Sequence, residues 1–314
     1  MPAMSLSAAD HLAMLEAGAR RAGIEYARLE LPRAHRVTLG GLRLRYVDWG
    51  RGAGPPVVFL HGGGLTAHAW DLVCLAMRAR WHCIALEQRG HGDSDWAPDA
   101  DYSLSSLAGD AAAFLRHLGE GPVALVGHSM GALAAMLAVA RHPELVAALA
   151  IVDVGPEPRE EGADAIRALV AGGSEFDSLD AAVAAARRFN PMRSAESLRR
   201  SLLLNLKQLP DGRWRWKYDD RRYPLLRTDE YRAERRGLWQ ALAQVRCPAL
   251  VVHGGRSRIF LAEDARRVAD TMADGRVVTI EDAGHNVHSD APRALATALD
   301  EFFRRADQRR QSPP

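Results

Sequence analysis

Residues 123–140 read VALVGHSMGALAAMLAVA, and this stretch decides the fold. A short apolar run typical of a buried strand comes first, and a longer apolar run typical of a buried helix follows Gly131. Between them, Gly127 to Gly131 has the pattern G-x-S-x-G, in which the glycines let strand and helix approach closely and the serine hydroxyl is exposed on a strained turn. The stretch predicts that Ser129 is a nucleophile, and an ordinary serine in a strand-to-helix turn is the alternative.

Strands and helices alternate on both sides of this turn. Apolar runs predict buried strands, and amphipathic patterns predict the helices between them, as follows: strands at 56–60, 83–86, 148–152, 249–252 and 276–280, and helices at 104–118, 263–272 and after residue 290. Residues 36–39 and 42–49 alternate around two glycines, which predicts an antiparallel hairpin. The alternation predicts an α/β fold whose mostly parallel sheet has helices on both faces.

The alternation of strand and helix patterns stops between residues 155 and 246. Helical patterns follow one another here, with no clear strand between the first three, at 164–170, 179–189, 197–208 and 230–242. We therefore predict an inserted helical cap over residues 155–246 and a core made of residues 35–154 and 247–304. A helical extension over residues 1–34 precedes the core, and a basic, disordered tail over residues 305–314 follows it.

Composition excludes several classes of protein. Hydrophobic residues make up 47% and charged residues 25% of the 314, as expected of a globular protein, and the net charge of +2 gives no sign of a nucleic-acid or membrane partner. The three cysteines are scattered and lack the spacing of metal ligands, so we expect no metal site. The N-terminus lacks the pattern of a signal peptide, and the expected location is the cytoplasm.

A serine hydroxyl needs a base to remove its proton and an acid to orient that base. His285 follows a late strand in a Gly-His turn, where it is the last member of the chain order serine, acid, histidine. We therefore expect His285 to be the base. His288 is the alternative base, and a purely structural histidine at position 285 is the other alternative.

Four motifs together resemble the α/β-hydrolase superfamily over residues 36–304. They are FLHGG at 59–63, QRGHGDS at 88–94, GHSMG at 127–131 and AGH at 283–285. The resemblance implies a serine hydrolase core with a helical cap over its site. It also implies an oxyanion hole made of the backbone N–H groups of Met130 and Gly63, with Gly64 as the neighbouring possibility.

The acid departs from the commoner pattern of this superfamily. Many members carry it in the loop after the strand that follows the cap, but Ser257 and Arg258 stand there and neither is a carboxylate. Asp153 ends the strand that follows the nucleophile helix, and pancreatic lipase and the zearalenone lactonases are similar in placing their acid there. We therefore assign Asp153, with Glu263 or Asp264 as the alternative acid.

The expected reaction is hydrolysis of a carboxylic ester or lactone of a hydrophobic small molecule through an acyl-enzyme, without a cofactor. Three tryptophans in the cap are candidate pocket-lining residues, namely Trp214, Trp216 and Trp239. Carbon–carbon bond or amide hydrolysis on the same triad, cofactor-free oxygenation, and ligand reception without catalysis stay open as alternatives.

Overall fold

The computed structural model describes residues 6–50, 52, 54–157, 159, 173–189 and 193–311. Its strands are β1 (Arg33–Leu39), β2 (Leu42–Asp48), β3 (Pro56–Leu60), β4 (His82–Leu86), β5 (Val123–His128), β6 (Val146–Val152), β7 (Glu175–Phe176), β8 (Leu206–Gln208), β9 (Trp214–Trp216), β10 (Ala249–Gly254) and β11 (Gly275–Ile280).

The α-helices alternate with these strands. They are α1 (Ala8–Ala22), α2 (Asp71–Met77), α3 (Leu104–Leu118), α4 (Met130–Arg141), α5 (Leu179–Phe189), α6 (Ala195–Asn205), α7 (Arg222–Leu225), α8 (Asp229–Gln244), α9 (Ala262–Thr271), α10 (Val287–Asp290) and α11 (Pro292–Gln311). Short 3₁₀ helices occupy Ala67–Trp70 and Pro143–Leu145. No helix in the described ranges combines the length and the apolarity that a membrane crossing requires.

Eight strands form one sheet in the order β1-β2-β4-β3-β5-β6-β10-β11. All neighbours from β4 to β11 pair in parallel, whereas β2 is antiparallel to both β1 and β4. Every residue of β3, β4, β5 and β10 is buried, because helices cover both faces of the sheet. The predicted α/β fold with a mostly parallel sheet is confirmed, and so is the hairpin of β1 and β2.

The core consists of one apolar cluster on each face of this sheet. Helices α3, α4, α8 and α9 contribute to the first cluster, and α1, α2 and α11 contribute to the second. The N-terminal helix is therefore packed into the second cluster, through Leu15 and Ala19. The predicted disordered tail at 305–314 is wrong for residues 305–311, since α11 runs to Gln311 and Ala306 packs into the same cluster, while residues 312–314 lie outside the described residues.

The segment between β6 and β10 contains a small sheet as well as helices. Strands β7, β9 and β8 pair antiparallel in that order, and α5 and α6 share an apolar cluster with this sheet. The expectation of no strand between the first three cap helices is therefore wrong, because β7 precedes α5 and pairs with β9. Helix α6 also ends at Asn205, where the chain turns into β8, and the predicted helix 164–170 lies outside the described residues.

Two glycines allow the turn between β5 and α4. A Cβ built on Gly127 would lie 2.4 Å from the Cα of Ala132, and one built on Gly131 would lie 2.5 Å from the carbonyl oxygen of Leu60. Both distances are to backbone atoms, so neither contact can be relieved by a side-chain movement. The glycines let the N-terminus of α4 pack directly against the end of β3.

We predict opposite effects for two Gly→Ala changes in helices. Gly131→Ala should lower the free energy of unfolding by about 1–3 kcal/mol, because the added methyl group overpacks against backbone. Gly109→Ala in α3 is the matched control, since its Cβ would meet nothing within 4 Å, and it should raise the free energy of unfolding by up to about 1 kcal/mol. Urea denaturation measures both, and equal shifts in the two variants would contradict the steric account.

Candidate active site

Ser129 lies at the turn between β5 and α4 in a strained backbone conformation. Its φ of 49° and ψ of −118° lie outside the regions that a residue with a side chain ordinarily adopts. Its N–H donates to the carbonyl of Val152 at 3.2 Å, which ties the turn to the end of β6. The residue borders a large cavity between the sheet and the cap, so the turn presents this serine to the space in which a ligand can bind.

Asp153 and His285 form a hydrogen-bonded pair beside this serine. The Nδ1 atom of His285 lies 2.8 Å from Oδ2 of Asp153. The carboxylate accepts, so Nδ1 carries the proton and Nε2 of a neutral ring is left as the acceptor. Asp153 is fully buried and has a φ of 52°, whereas the His285 side chain is 26% exposed and borders the same cavity as Ser129. The structure thus brings together the three residues that the sequence singled out.

Two further donors hold the carboxylate of Asp153. The N–H of Gly254 donates to Oδ1 at 2.8 Å, and the hydroxyl of Ser257 donates to Oδ2 at 2.6 Å. The sequence analysis noted Ser257 only as a residue that could not be the acid. Its hydroxyl lies in the loop after β10, the strand next to β6, and this adjacency is the signal that could have identified it.

The alternative acids have other partners. Both Glu263 and Asp264 pair with Arg159, and Asp264 also accepts from the N–H of Leu261 at the start of α9. The alternative base, His288, is buried beside Trp70 and His128, and its Nδ1 has no hydrogen-bond partner among the described residues.

Buried histidines surround the pair and are held neutral. Nε2 of His128 donates to the carbonyl of His285 at 2.9 Å, which fixes the backbone of the histidine turn. Burial, followed by the nearby His288 and His285, holds the pKa of His128 well below its usual value. Burial also lowers the pKa of His61 to about 4 and that of His288 to about 3.

Two backbone N–H groups face the cavity without a partner. Gly63 and Met130 both border the cavity, and within the described part of the chain no hydrogen bond occupies either N–H. Met130 is the first residue of α4, where the helix dipole places positive charge. These groups can donate to an oxygen that develops negative charge next to Ser129.

Only one of the three predicted tryptophans borders the cavity. Trp216 does so and stacks on Tyr218, with ring centroids 5.7 Å apart. Trp214 instead packs on the cluster of α5 and α6. Trp239 lies one helical turn beyond the part of α8 that borders the cavity, and Arg267 covers its ring at 4.1 Å. The prediction of a lining role is therefore wrong for Trp214 and Trp239.

Arginines are the unexpected feature of the cavity, and they outnumber the carboxylates that border it. The cavity volume is about 2290 Å³, larger than the roughly 300–1,000 Å³ typical of small-molecule sites. The size of the cavity therefore does not define its ligand. The charged side chains that border it are the features that can distinguish one ligand from another. No pattern in the sequence indicated which of its many arginines face this space.

One group of potential metal ligands lies away from this cavity. The ligand atoms of His11, His68 and Asp71 lie within 4.8 Å of one another. Asp71 already accepts from His11 at 2.9 Å and from His68 at 3.1 Å. We interpret the three residues as a hydrogen-bonded network that joins α1 to α2.

Comparison with known proteins gives consistent results. A sequence model of the alpha/beta hydrolase fold matches residues 55–292. The chain is 35% identical over 301 residues to the esterase Rv0045c of Mycobacterium tuberculosis, covering 92% of this chain and 94% of that protein. It is 29% identical over 275 residues to 2-(acetamidomethylene)succinate hydrolase of Mesorhizobium japonicum, covering 86% of this chain and 95% of that protein.

Solved structures give the same result. A structure of the M. tuberculosis esterase, described as a study of transition metal inhibition, has a TM-score of 0.76 at 33% identity and covers 94% of this chain and 98% of that one. A crystal structure of E-2-(acetamidomethylene)succinate hydrolase has a TM-score of 0.75 at 28% identity and covers 87% of this chain and 99% of that one.

The buried histidines predict a particular loss of stability in acid. The unfolded chain binds protons at these imidazoles near pH 6.5, whereas burial lowers the pKa of His61 to about 4 in the folded chain and acts in the same direction on His91, His128 and His288. Their contribution to stability is therefore complete above pH 6.5 and is lost as the pH falls towards 4. We expect the Tm measured by calorimetry to fall steadily from pH 7 to pH 5, an interval in which carboxylates stay largely ionised. A constant or rising Tm over this interval would contradict the prediction.

Proposed function

The chain belongs to the α/β-hydrolase fold family and is a hydrolase, and from this premise we propose that it cleaves carboxylic esters, lactones included, through an acyl-enzyme on Ser129. The observation that carries the proposal is the 2.8 Å contact between Asp153 and His285 beside a strained serine in one cavity. The name of the M. tuberculosis relative, an esterase, supports the same reaction class.

The first half of the reaction uses the serine and the histidine. Nε2 of His285 takes the proton of Ser129 Oγ as the oxygen attacks the ester carbonyl, and the carbonyl oxygen becomes an oxyanion. The N–H groups of Gly63 and Met130 stabilise that oxyanion. Asp153 stabilises the imidazolium, and the two donors on its carboxylate hold that carboxylate in place. His285 then gives the proton to the leaving alcohol, which departs and leaves the acyl group on Ser129.

The second half repeats these steps with water. His285 takes a proton from a water molecule, the resulting hydroxide attacks the acyl carbonyl, and the same two N–H groups hold the oxyanion. Collapse of the intermediate returns the proton to Ser129 and releases the acid. These residues supply every proton transfer, so we propose that the reaction needs no cofactor.

The proposal also covers the location of the enzyme and the kind of molecule that it binds. Three free cysteines, Cys74, Cys83 and Cys247, support a reducing compartment and so the cytoplasm. The net charge of +2 supports a small-molecule substrate in place of a nucleic acid or a membrane partner.

We predict covalent labelling of Ser129 by a fluorophosphonate probe. The probe reacts with an activated serine, so wild type should gain the mass of one probe, and Ser129→Ala and His285→Ala should gain none. Hydrolysis of p-nitrophenyl esters from acetate to decanoate should be abolished in the same two variants. Labelling at another residue, or full activity of folded Ser129→Ala, would overturn the proposal.

We predict graded losses for the acid and for its hydroxyl partner. Asp153→Asn should reduce kcat about 10⁴-fold, as expected when the histidine loses the group that fixes its tautomer. Ser257→Ala should reduce kcat about tenfold with KM unchanged, because it removes one hydrogen bond to a charged group, about 1.5 kcal/mol, and Ser257 does not border the cavity.

Ser105→Ala is the matched control for these losses, since the Ser105 hydroxyl accepts a hydrogen bond from Arg141 at 2.9 Å and Ser105 is not among the described residues that border the cavity. This variant should keep the kcat and KM of wild type. Near-normal kcat in Asp153→Asn would assign the acid to another residue. A raised KM in Ser257→Ala would contradict the role given to its hydroxyl.

A further inference from the structure

One arginine of the cavity lies directly beside the proposed oxyanion site. Arg222 is the first residue of α7, and it is only 4% exposed although it borders the cavity. A Cβ built on Gly63 would lie 2.6 Å from Nη1 of Arg222, so the guanidinium fills the space over that glycine. Its charge is therefore within contact distance of the backbone whose N–H is proposed to hold the oxyanion.

The guanidinium of Arg222 has no anionic partner in the described part of the chain. Its Nη1 lies 3.3 Å from Nε2 of His91, and its Nε is buried with no hydrogen-bond partner. The Nδ1 atom of His91 faces the carbonyl of Arg89 at 3.0 Å, so Nδ1 donates and Nε2 accepts. Burial and the charge of Arg222 hold the pKa of His91 well below its usual value, so His91 is neutral and supplies no counter-charge. The ring of Tyr223, 5.7 Å from the guanidinium carbon, is a cation–π contact but carries no negative charge.

The neighbouring Arg221, in contrast, has a carboxylate that balances its charge. Arg221 is half exposed and pairs with the carboxylate of Asp219 at 2.6 Å. That carboxylate is bound to Arg221 and Tyr102 and so is not shared with Arg222. Burying a charge without a counter-ion is unfavourable, and an anion in the cavity would remove that cost. Arg222 borders the cavity, so such a group can reach it from there.

Other arginines on the lining make the same cavity more attractive to an anion. Arg193 is largely buried, its Nε has no hydrogen-bond partner among the described residues, and its contact with the carboxylate of Asp290 is long, at 4.0 Å. Burial, together with the charges of Arg21 and Arg193, lowers the pKa of Arg200 on the same lining. Arg21, Arg193 and Arg200 repel one another, and an anion bound among them would reduce this repulsion.

Apolar side chains also border the cavity. Met130, Leu133 and Val154 lie on the core side, and Leu198 and Leu202 lie on the cap side. The site therefore combines an apolar surface with a buried cation close to the reacting carbonyl. A neutral hydrocarbon ester would leave the charge of Arg222 buried and unpaired.

We propose that the substrate is an ester that also carries a carboxylate, and that Arg222 binds this carboxylate next to the oxyanion site. The proposal rests on the proposed ester hydrolysis and specifies its substrate class. A guanidinium edge matches a carboxylate in two parallel hydrogen bonds, and one cation calls for a singly charged group. The proposal replaces the hydrophobic substrate expected from the sequence with one that is apolar along its chain and charged at one end.

The test compares charged esters with neutral esters of the same shape. The charged series is monoethyl succinate, glutarate and adipate, and in each neutral partner an isopropyl group replaces the carboxylate, as in ethyl 5-methylhexanoate for the glutarate. Release of acid is followed in a pH-stat. Wild type should hydrolyse at least one charged ester with a kcat/KM ten or more times that of its neutral partner, and glutarate should inhibit hydrolysis of the neutral ester competitively.

Arg222 variants assign the preference to this residue. Arg222→Met should reduce kcat/KM for the preferred charged ester at least tenfold and change that for the neutral ester less than threefold, while Arg222→Lys should retain part of the preference. Arg232→Met is the matched control, since Arg232 borders the same cavity but is exposed and paired with Asp229. It should keep the preference of wild type.

Three outcomes would overturn the inference. The first is a wild type without preference or glutarate inhibition across the series, and this outcome does not depend on the folding of any variant. The second is an equal loss for both esters in Arg222→Met, which would mean that the guanidinium stabilises the oxyanion or the fold. The third is loss of the preference in Arg232→Met.

If wild type hydrolyses neutral esters and reacts with the fluorophosphonate, the proposed function survives these failures. If it does neither, both proposals fail.

Discussion

The close approach of α4 to the end of β3 is the constraint on which the rest of the site depends. Gly131 permits it, because any side chain there would meet the backbone of Leu60. Ser129, two residues before Gly131, has a strained backbone, and Met130 and Gly63 border the same cavity. One packing contact thus helps to position the proposed nucleophile and one of the N–H groups proposed to stabilise the oxyanion.

The sheet order explains how Asp153, which directly follows β6, comes to contact His285. Strands β6 and β10 are neighbours, and the N–H of Asp153 bonds the carbonyl of Val252 in β10. A carboxylate at the end of either strand can therefore reach the same histidine ring. In this chain β6 supplies the carboxylate, and the loop after β10 supplies a hydroxyl from Ser257 that holds it. Ser257 stands where many members of the superfamily have a carboxylate, and its hydroxyl contacts the carboxylate of Asp153.

The sequence predicted the parts of the molecule that local pattern determines. Buried strands, the hairpin and the strained turn at Ser129 depend on short runs, the contact between Asp153 and His285 depends on strand ends, and the parallel sheet follows from their alternation. The small sheet of the cap was missed because β7 has only two residues and pairs with a strand far along the chain. Arg222 was missed because burial of one arginine among many depends on how the cap packs, and the tail was misjudged because Ala306 packs on the core.

A structure of the protein with a covalent phosphonate on Ser129 tests the central claim most directly. The phosphonyl group has the tetrahedral shape of the intermediate, and one of its oxygens stands for the oxyanion. The account predicts that this oxygen accepts hydrogen bonds of 2.7–3.1 Å from the N–H groups of Gly63 and Met130, with the contact between His285 and Asp153 retained. An adduct whose oxygen points away from both N–H groups, or a His285 that contacts another acid, would contradict it.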